Sequence, residues 1–111
     1  MSSKASTIIL ITGANTGLGF EIVKSLLRSS VTYTILLAGR DINKANAAAK
    51  TAQSEFPSSK SEIKTVEIDI EDDESISKAF DLVKEEFGRL DVLVNNAGTC
   101  SILQLSHQLY A

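Results

Sequence analysis

Three glycines, Gly13, Gly17 and Gly19, lie within the segment TGANTGLG, which follows the apolar run Thr7 to Ile11 and precedes a helical pattern. A backbone without side chains lets an anion approach its free amide N–H groups, and the N-terminus of a helix adds a favourable dipole. The cluster therefore predicts a phosphate-binding turn between a buried strand and a helix. Its spacing is G-x-x-x-G-x-G, not the general dinucleotide pattern G-x-G-x-x-G, so a tight turn without a ligand is the alternative.

A second candidate group lies at the end of the next apolar run, where the sequence reads Ala38-Gly39-Arg40-Asp41. A carboxylate at the position of Gly39 would bind the ribose hydroxyls of NAD and repel a 2′-phosphate. Here a glycine is followed by an arginine, whose guanidinium suits a phosphate by charge and by its forked donors. The pattern predicts NADP(H) in preference to NAD(H). The alternative is a solvated Arg40 that pairs with Asp41 at a helix start.

Composition limits what else the chain does. With 111 residues, 43% hydrophobic and 23% charged, the chain is typical of one globular domain. A net charge of −3 with scattered lysines and arginines argues against nucleic acid. Apolar runs of only about five residues argue against a membrane helix or a signal peptide, and favour a cytoplasmic protein. The single cysteine, Cys100, forms no internal disulfide and suggests no metal site.

The elements that must position these residues alternate along the chain. Apolar runs predict buried strands at Thr7 to Ile11, Tyr33 to Ala38 and Leu90 to Val94, and the apolar residues Ile63, Val66, Ile68 and Ile70 suggest a further strand between the second and the last of these. Amphipathic spacing predicts helices between them: one from Gly17 to about Ser29, an alanine-rich one opened by Asp41, and one that ends at Gly88. The predicted fold is α/β, a three-layer doubly wound parallel sheet of Rossmann-like type, in the order 3-2-1-4 and truncated after about four strands.

Two motifs resemble those of the short-chain dehydrogenase/reductase family. The family's cofactor motif T-G-x-x-x-G-x-G matches Thr12, Gly13, Gly17 and Gly19, and its N-N-A-G motif matches residues 95–98 after the fourth strand. Between them, Asp69-Ile70 is similar to the family's Asp-hydrophobic pair, whose carboxylate contacts the adenine amino group. The resemblance extends to about Gly98, and implies a nicotinamide dinucleotide as partner and hydride transfer between NADP(H) and a carbonyl or alcohol substrate.

The same resemblance implies roles for individual residues. The three glycines of the first motif would line the pyrophosphate, and Asn15 and Thr16 would lie within reach of the adenosine ribose and its phosphate. Leu18 would be a further contact of the cofactor. Asn95 would help hold the central strands, whereas Ala97 and Gly98 would pass close to the cofactor's ribose. Asn96 would also bind the cofactor, and for both asparagines a structural role is the alternative. Asp69 has an alternative too, because an aspartate that ends a strand commonly caps the next turn.

The family's catalytic serine and Tyr-x-x-x-Lys pair, expected after N-N-A-G, have no counterpart here. Tyr110 has no lysine four residues later, and Ser101 and Ser106 follow Gly98 too closely. We therefore expect an incomplete NAD(P)-binding domain over residues 1–98 and a tail of uncertain structure over 99–111, inactive alone. The exposed edge of the fourth strand would invite self-association.

Three interpretations remain at this point. The chain is the N-terminal part of an NADP(H)-dependent oxidoreductase, a non-catalytic nucleotide-binding module that associates with another chain, or an interaction protein that keeps only the fold. Binding of NADP⁺ would separate the second from the third.

Overall fold

The computed structural model describes residues 7–14 and 17–96, in which four strands alternate with three helices. The elements are β1 (Thr7–Thr12), α1 (Gly17–Arg28), β2 (Tyr33–Gly39), α2 (Ile42–Glu55), β3 (Glu62–Glu67), α3 (Asp73–Phe87) and β4 (Val92–Asn95). None of the helices in this described part is long and apolar enough to cross a membrane.

The four strands form one parallel sheet in the order β3-β2-β1-β4, which confirms the predicted order. Ile9 of β1 is paired with Ile35 of β2 on one side and with Val92 of β4 on the other. Because β1 lies between two strands and under helices, its side chains are almost all buried, as a continuous apolar run predicts. The direction of strand addition reverses at β1, since β2 and β3 lie on one side of it and β4 on the other.

Helices cover both faces of the sheet, so the chain has two hydrophobic cores and three layers. On one face, Ile9, Ile11, Ile35 and Leu37 pack against α1 and α2. Alternate residues of the same strands, among them Leu10 and Leu36, face the other way and pack against α3. The alanines at the inner face of α2 let that helix lie close to the sheet.

The helix ends follow local sequence signals. Asp41 caps α2 by accepting hydrogen bonds from the N–H groups of Asn43 and Lys44. Asp72 caps α3 in the same way through the N–H of Glu74, and such caps each stabilise a helix by about 1 kcal/mol. At the other end of α3, Gly88 adopts the left-handed conformation (φ 78°) that the sequence position predicted.

Two strand boundaries differ from the sequence prediction by two residues or more. β3 ends at Glu67 and not at Ile70, because the backbone turns at Asp69, whose carbonyl accepts a hydrogen bond from the N–H of Asp72 (3.0 Å). β4 begins at Val92, two residues after Leu90, which is nonetheless buried in the α3 core. The predicted tail, residues 99–111, lies outside the described residues.

Candidate functional site

The candidate site lies where the four parallel strands end, at one edge of the sheet. Thr12, Gly39, Glu67 and Asn95 are the last residues of their strands. Two backbone hydrogen bonds hold the following loops together: the N–H of Ala14 donates to Ala38 (3.0 Å), and the N–H of Ile68 donates to Gly39 (2.9 Å). In open α/β sheets, ligands bind at this edge, beside the strand at which the order reverses.

The glycine turn between β1 and α1 has the backbone conformation that its sequence predicted. Gly13 and Gly17 both have positive φ, 62° and 61°, a conformation that residues other than glycine rarely adopt. Apart from its neighbours along the chain, a Cβ atom at Gly17 would meet no atom of the described residues within 4 Å, so the surface there is open to a ligand. Leu18, in the first turn of α1, is 68% exposed. Asn15 and Thr16 lie outside the described residues.

Gly19 has a different role from the other two glycines. A Cβ atom at this position would lie 2.5 Å from the carbonyl oxygen of Gly13, and 2.9 Å from both the Cα of Ala14 and the side-chain amide nitrogen of Asn96. The first two atoms belong to the backbone and cannot move aside. Gly19 is therefore required for α1 to pack against the turn and against the end of β4.

The hydroxyl of Thr12 links the ends of β1 and β4. It donates to Oδ1 of Asn95 (2.9 Å) and accepts from the N–H of Asn96 (3.0 Å). Asn96 in turn donates through Nδ2 to the carbonyl of Gly13 (3.4 Å). Thr12 and Asn95 are buried, which strengthens these neutral hydrogen bonds. Asn95, which the sequence predicted to hold the central strands, is thus hydrogen-bonded to Thr12, a partner that the sequence analysis missed. The only sign of this partner in the sequence is a residue with a hydroxyl group at the end of an apolar strand.

Asp69 fixes the turn between β3 and α3. Its Oδ1 accepts a hydrogen bond from the N–H of Glu71 (3.0 Å), and its own N–H donates to Oγ of Ser75 (2.8 Å). The turn-capping alternative is thus observed. Its second oxygen, Oδ2, accepts no hydrogen bond from the described residues, so the carboxylate also has an acceptor for a ligand. Ile70 is partly buried and packs on the α3 core.

Arg40 is exposed immediately after β2. The pairing with Asp41 that the sequence left open is not formed, because the Asp41 carboxylate caps α2 (2.9 Å to the N–H of Asn43) and no ion pair within 4.0 Å joins the two residues. Beside Arg40 is a shallow cavity of about 340 Å³. Its lining residues are Arg40, Glu67, Asp69, Asp72, Glu74, Ser75 and Lys78.

All eight predicted site residues that the structure describes follow strand ends at this edge: Gly13, Gly17, Leu18, Gly19, Arg40, Asp69, Ile70 and Asn96. Ala97 and Gly98 lie outside the described residues. Lys78 was missed, because only the packing of α3 shows that it shares a cavity with Arg40. No group of carboxylates, cysteines or histidines able to hold a metal ion occurs among the residues that are described.

At the opposite edge of the sheet, Asp91 joins the starts of β1 and β4. Its Oδ2 accepts from the N–H of Ile8 (2.8 Å), its N–H donates to the carbonyl of Ile8 (3.0 Å), and Nε of Arg89 donates to both carboxylate oxygens (3.0 and 3.1 Å). The hydrogen bond from Arg89, followed by that from Ile8, lowers the pKa of the Asp91 carboxyl below its ordinary value. This end carries the charged link between the two strands.

Comparison with known proteins identifies the same arrangement elsewhere. A model of the short chain dehydrogenase family matches residues 7–110. The short-chain dehydrogenase/reductase eupG of a Phoma species is 47% identical over 98 residues, which are 87% of this chain and 35% of that protein. Bovine (Bos taurus) carbonyl reductase [NADPH] 1 is 40% identical over 86% of this chain and 33% of its own length.

Among solved structures, the N-domain of a bacterial malonyl-CoA reductase with NADP superimposes with a TM-score of 0.75 at 36% identity, over 86% of this chain and 17% of that chain. The chain thus spans about a third of the length of the two relatives, and less of the solved structure.

Proposed function

The chain belongs to the short-chain dehydrogenase/reductase family, and from this membership we propose that it binds NADP(H) at the carboxyl edge of its sheet. The whole protein would transfer hydride between NADP(H) and a carbonyl or alcohol substrate. The observation that carries the cofactor choice is Arg40, an exposed guanidinium without an ion-pair partner among the described residues, directly after a strand that ends in Gly39. Relatives whose names or structures include NADPH or NADP support it.

The glycine turn fits a pyrophosphate. Positive φ at Gly13 and Gly17 orients the backbone of the turn, the open space at Gly17 allows close approach, and α1 begins there with its positive dipole end. Leu18 would contact the cofactor with its exposed side chain. Asn15 and Thr16, which lie within the family motif, would lie within reach of the adenosine ribose and its phosphate.

The adenosine end would lie between the loops after β2, β3 and β4. Arg40 would bind the 2′-phosphate, and Asp69 would accept from the adenine amino group through Oδ2, since Oδ1 is engaged in its own turn. Ile70 would contact the adenine ring. Asn96, Ala97 and Gly98 would pass close to the ribose.

When bound, NADP(H) would supply or accept the hydride. The 111 residues contain no Tyr-x-x-x-Lys pair, so we propose that this segment positions the cofactor and does not perform the proton transfer that accompanies reduction of a carbonyl. We therefore expect no dehydrogenase turnover from these residues alone.

Calorimetric titration of the chain with NADP⁺ and NAD⁺ tests the proposal. Arg40→Gln should weaken NADP⁺ binding about tenfold or more, because a charge-assisted hydrogen bond to the phosphate is lost, and should leave NAD⁺ binding nearly unchanged. Arg28→Gln, at the far end of α1, is the matched control and should change neither. Equal losses for the two cofactors on Arg40→Gln would remove Arg40 from the 2′-phosphate site, and no NADP⁺ binding at millimolar concentration would contradict the proposal as a whole.

The position of β4 at an edge of the sheet, as far as the described residues show it, supports a second, separate proposal, self-association. Among the described residues β4 pairs with β1 alone, and Val92 on it is 41% exposed. The edge at β3 is instead interrupted by the charges of Glu62, Lys64 and Glu67, a common protection against edge pairing. We propose that two copies of the chain associate along β4. Sedimentation should show a dimer or larger species at tens of micromolar, and a monodisperse monomer would contradict this.

A further inference from the structure

Two cationic side chains, those of Arg40 and Lys78, line this cavity without an ion-pair partner among the described residues. Arg40 enters it from the end of β2 and Lys78 from the second turn of α3. Neither forms an ion pair within 4.0 Å with any described residue, although four carboxylates line the same space. Those carboxylates belong to Glu67, Asp69, Asp72 and Glu74.

Both cations are attached to a rigid frame. Lys78 follows Ser75 by three residues and therefore lies on the same face of α3. Oγ of Ser75 accepts the N–H of Asp69 (2.8 Å), which fixes that face against the turn after β3. On the other side of the same turn, the N–H of Ile68 donates to the carbonyl of Gly39 (2.9 Å) and so fixes the residue before Arg40. The two side chains thus reach the cavity from opposite sides of one turn.

The carboxylates that line the cavity favour a second cation beside Arg40 for the binding of a phosphate. A phosphate monoester carries a charge of about −1.5 to −2 at neutral pH. Asp69 and Asp72 each accept a backbone N–H, from Glu71 and Glu74, which offsets part of their negative potential. Glu67 has no such hydrogen bond among the described residues, and lies next to Gly39 in the sheet register. A phosphate bound by Arg40 alone would therefore meet more repulsion from the four carboxylates than one bound by Arg40 and Lys78 together.

We propose that Lys78 is a specificity-determining residue that binds the 2′-phosphate together with Arg40. This rests on the proposed function, because it extends the same phosphate site by a residue outside every motif in the sequence. A lysine ammonium acts as a compact point charge and needs no fixed fork geometry, so it suits a second contact reached along a flexible stem. NAD(H) has no phosphate at this position, and its binding should not depend on Lys78.

Two fragments of the cofactors make the test direct: adenosine 2′,5′-bisphosphate, which carries the 2′-phosphate, and 5′-AMP, which does not. Lys78→Gln should weaken binding of the bisphosphate about threefold to tenfold, the range expected for an exposed charged contact, and leave 5′-AMP binding unchanged. Lys84→Gln is the matched control, since it removes the same charge from the same helix outside this cavity. Both lysines are exposed, so both variants should keep the far-ultraviolet circular dichroism of the parent chain.

If Lys78→Gln and Lys84→Gln bind the bisphosphate equally while Arg40→Gln binds it more weakly, Lys78 is not part of the site and the proposed function stands. If the unaltered chain does not distinguish the bisphosphate from 5′-AMP, the NADP(H) preference fails and the role of Lys78 fails with it. An equal loss of both fragments on Lys78→Gln would also overturn the proposal, because it would show an effect unrelated to the 2′-phosphate.

Discussion

The two ends of the β1–β4 strand pair are held together in chemically opposite ways. At the amino ends, the carboxylate of Asp91 accepts from the backbone of Ile8 and from Arg89, with a side chain that is about a third exposed (33%). At the carboxyl ends, the hydroxyl of Thr12 joins Asn95 and Asn96 in a buried network without a formal charge. Both links connect residues more than eighty positions apart in sequence.

We attribute the difference to the anionic cofactor that is proposed to bind at one of these edges only. The carboxyl edge is where an anionic cofactor is proposed to bind, and a carboxylate in the position of Asn95 would repel a pyrophosphate at the neighbouring glycine turn. Hydroxyl and amide groups hold the strands there without adding charge. No anionic ligand is proposed at the amino edge, so a charged link between the strands is compatible with it. We therefore expect the contribution of the carboxyl edge to stability to depend on packing, and that of the amino edge to depend on pH.

Gly19→Ala should have the largest effect. The new Cβ would lie 2.5 Å from the carbonyl oxygen of Gly13, and overpacking of this kind costs about 1–3 kcal/mol of the free energy of unfolding. Denaturant unfolding measures the loss, and NADP⁺ binding should weaken with it because the glycine turn is displaced. Gly17→Ala is the control: it meets no atom, and positive φ alone should cost about 1 kcal/mol. A Gly19→Ala variant as stable as Gly17→Ala would show that α1 packs differently.

Thr12→Val should have the next largest effect. The substitution keeps the shape of the side chain but removes the hydroxyl, which leaves the part-buried N–H of Asn96 and the buried Oδ1 of Asn95 without that partner. Such a loss costs about 1–3 kcal/mol, and it should be the same at all pH values where the chain is folded, because no charge is involved. Thr12→Ser, which keeps the hydroxyl, should retain most of the stability. A loss of stability that depends on pH would contradict a neutral network.

Asp91→Asn should have the smallest effect, about 1 kcal/mol at neutral pH, because the carboxylate is partly exposed to solvent. The pKa of Asp91 is lowered in the folded chain, so its contribution is fully present above the unfolded-state pKa of about 3.9 and is lost as pH falls through the folded-state value. Unfolding measured along an acid series should show the parent and the variant converging at low pH. A difference that persists in strong acid would mean that the pKa is not lowered by folding.

Much of the fold could be predicted from the sequence because its signals are local. Three local signals each predicted one feature of the fold. The continuous apolar run predicted β1, the alanine-rich face predicted α2, and the glycine after α3 predicted where that helix ends. The end of β3 could not be predicted from Ile68 and Ile70, since both are partly or fully buried after the strand has ended. Their burial reflects packing on α3, which apolar periodicity does not distinguish from a longer strand.

The site was predictable where a residue type alone implies its chemistry, as with the glycine turn and Arg40. It was not predictable where the role depends on a contact distant in sequence. The partnership of Thr12 with Asn95, the clearance at Gly19 for the Asn96 amide, and the position of Lys78 beside Arg40 all require the packed arrangement of the sheet and α3.

The most direct test of the central claim is an amide chemical-shift titration of the chain with NADP⁺ by nuclear magnetic resonance. NADP⁺ should shift the amide signals of Gly13, Gly17, Arg40 and Asn96 at the carboxyl edge, and should shift neither Ile8 nor Asp91 on the opposite edge. Shifts confined to the amino edge, or no shifts at millimolar NADP⁺, would contradict the claim that the carboxyl edge of this sheet is a dinucleotide-binding site.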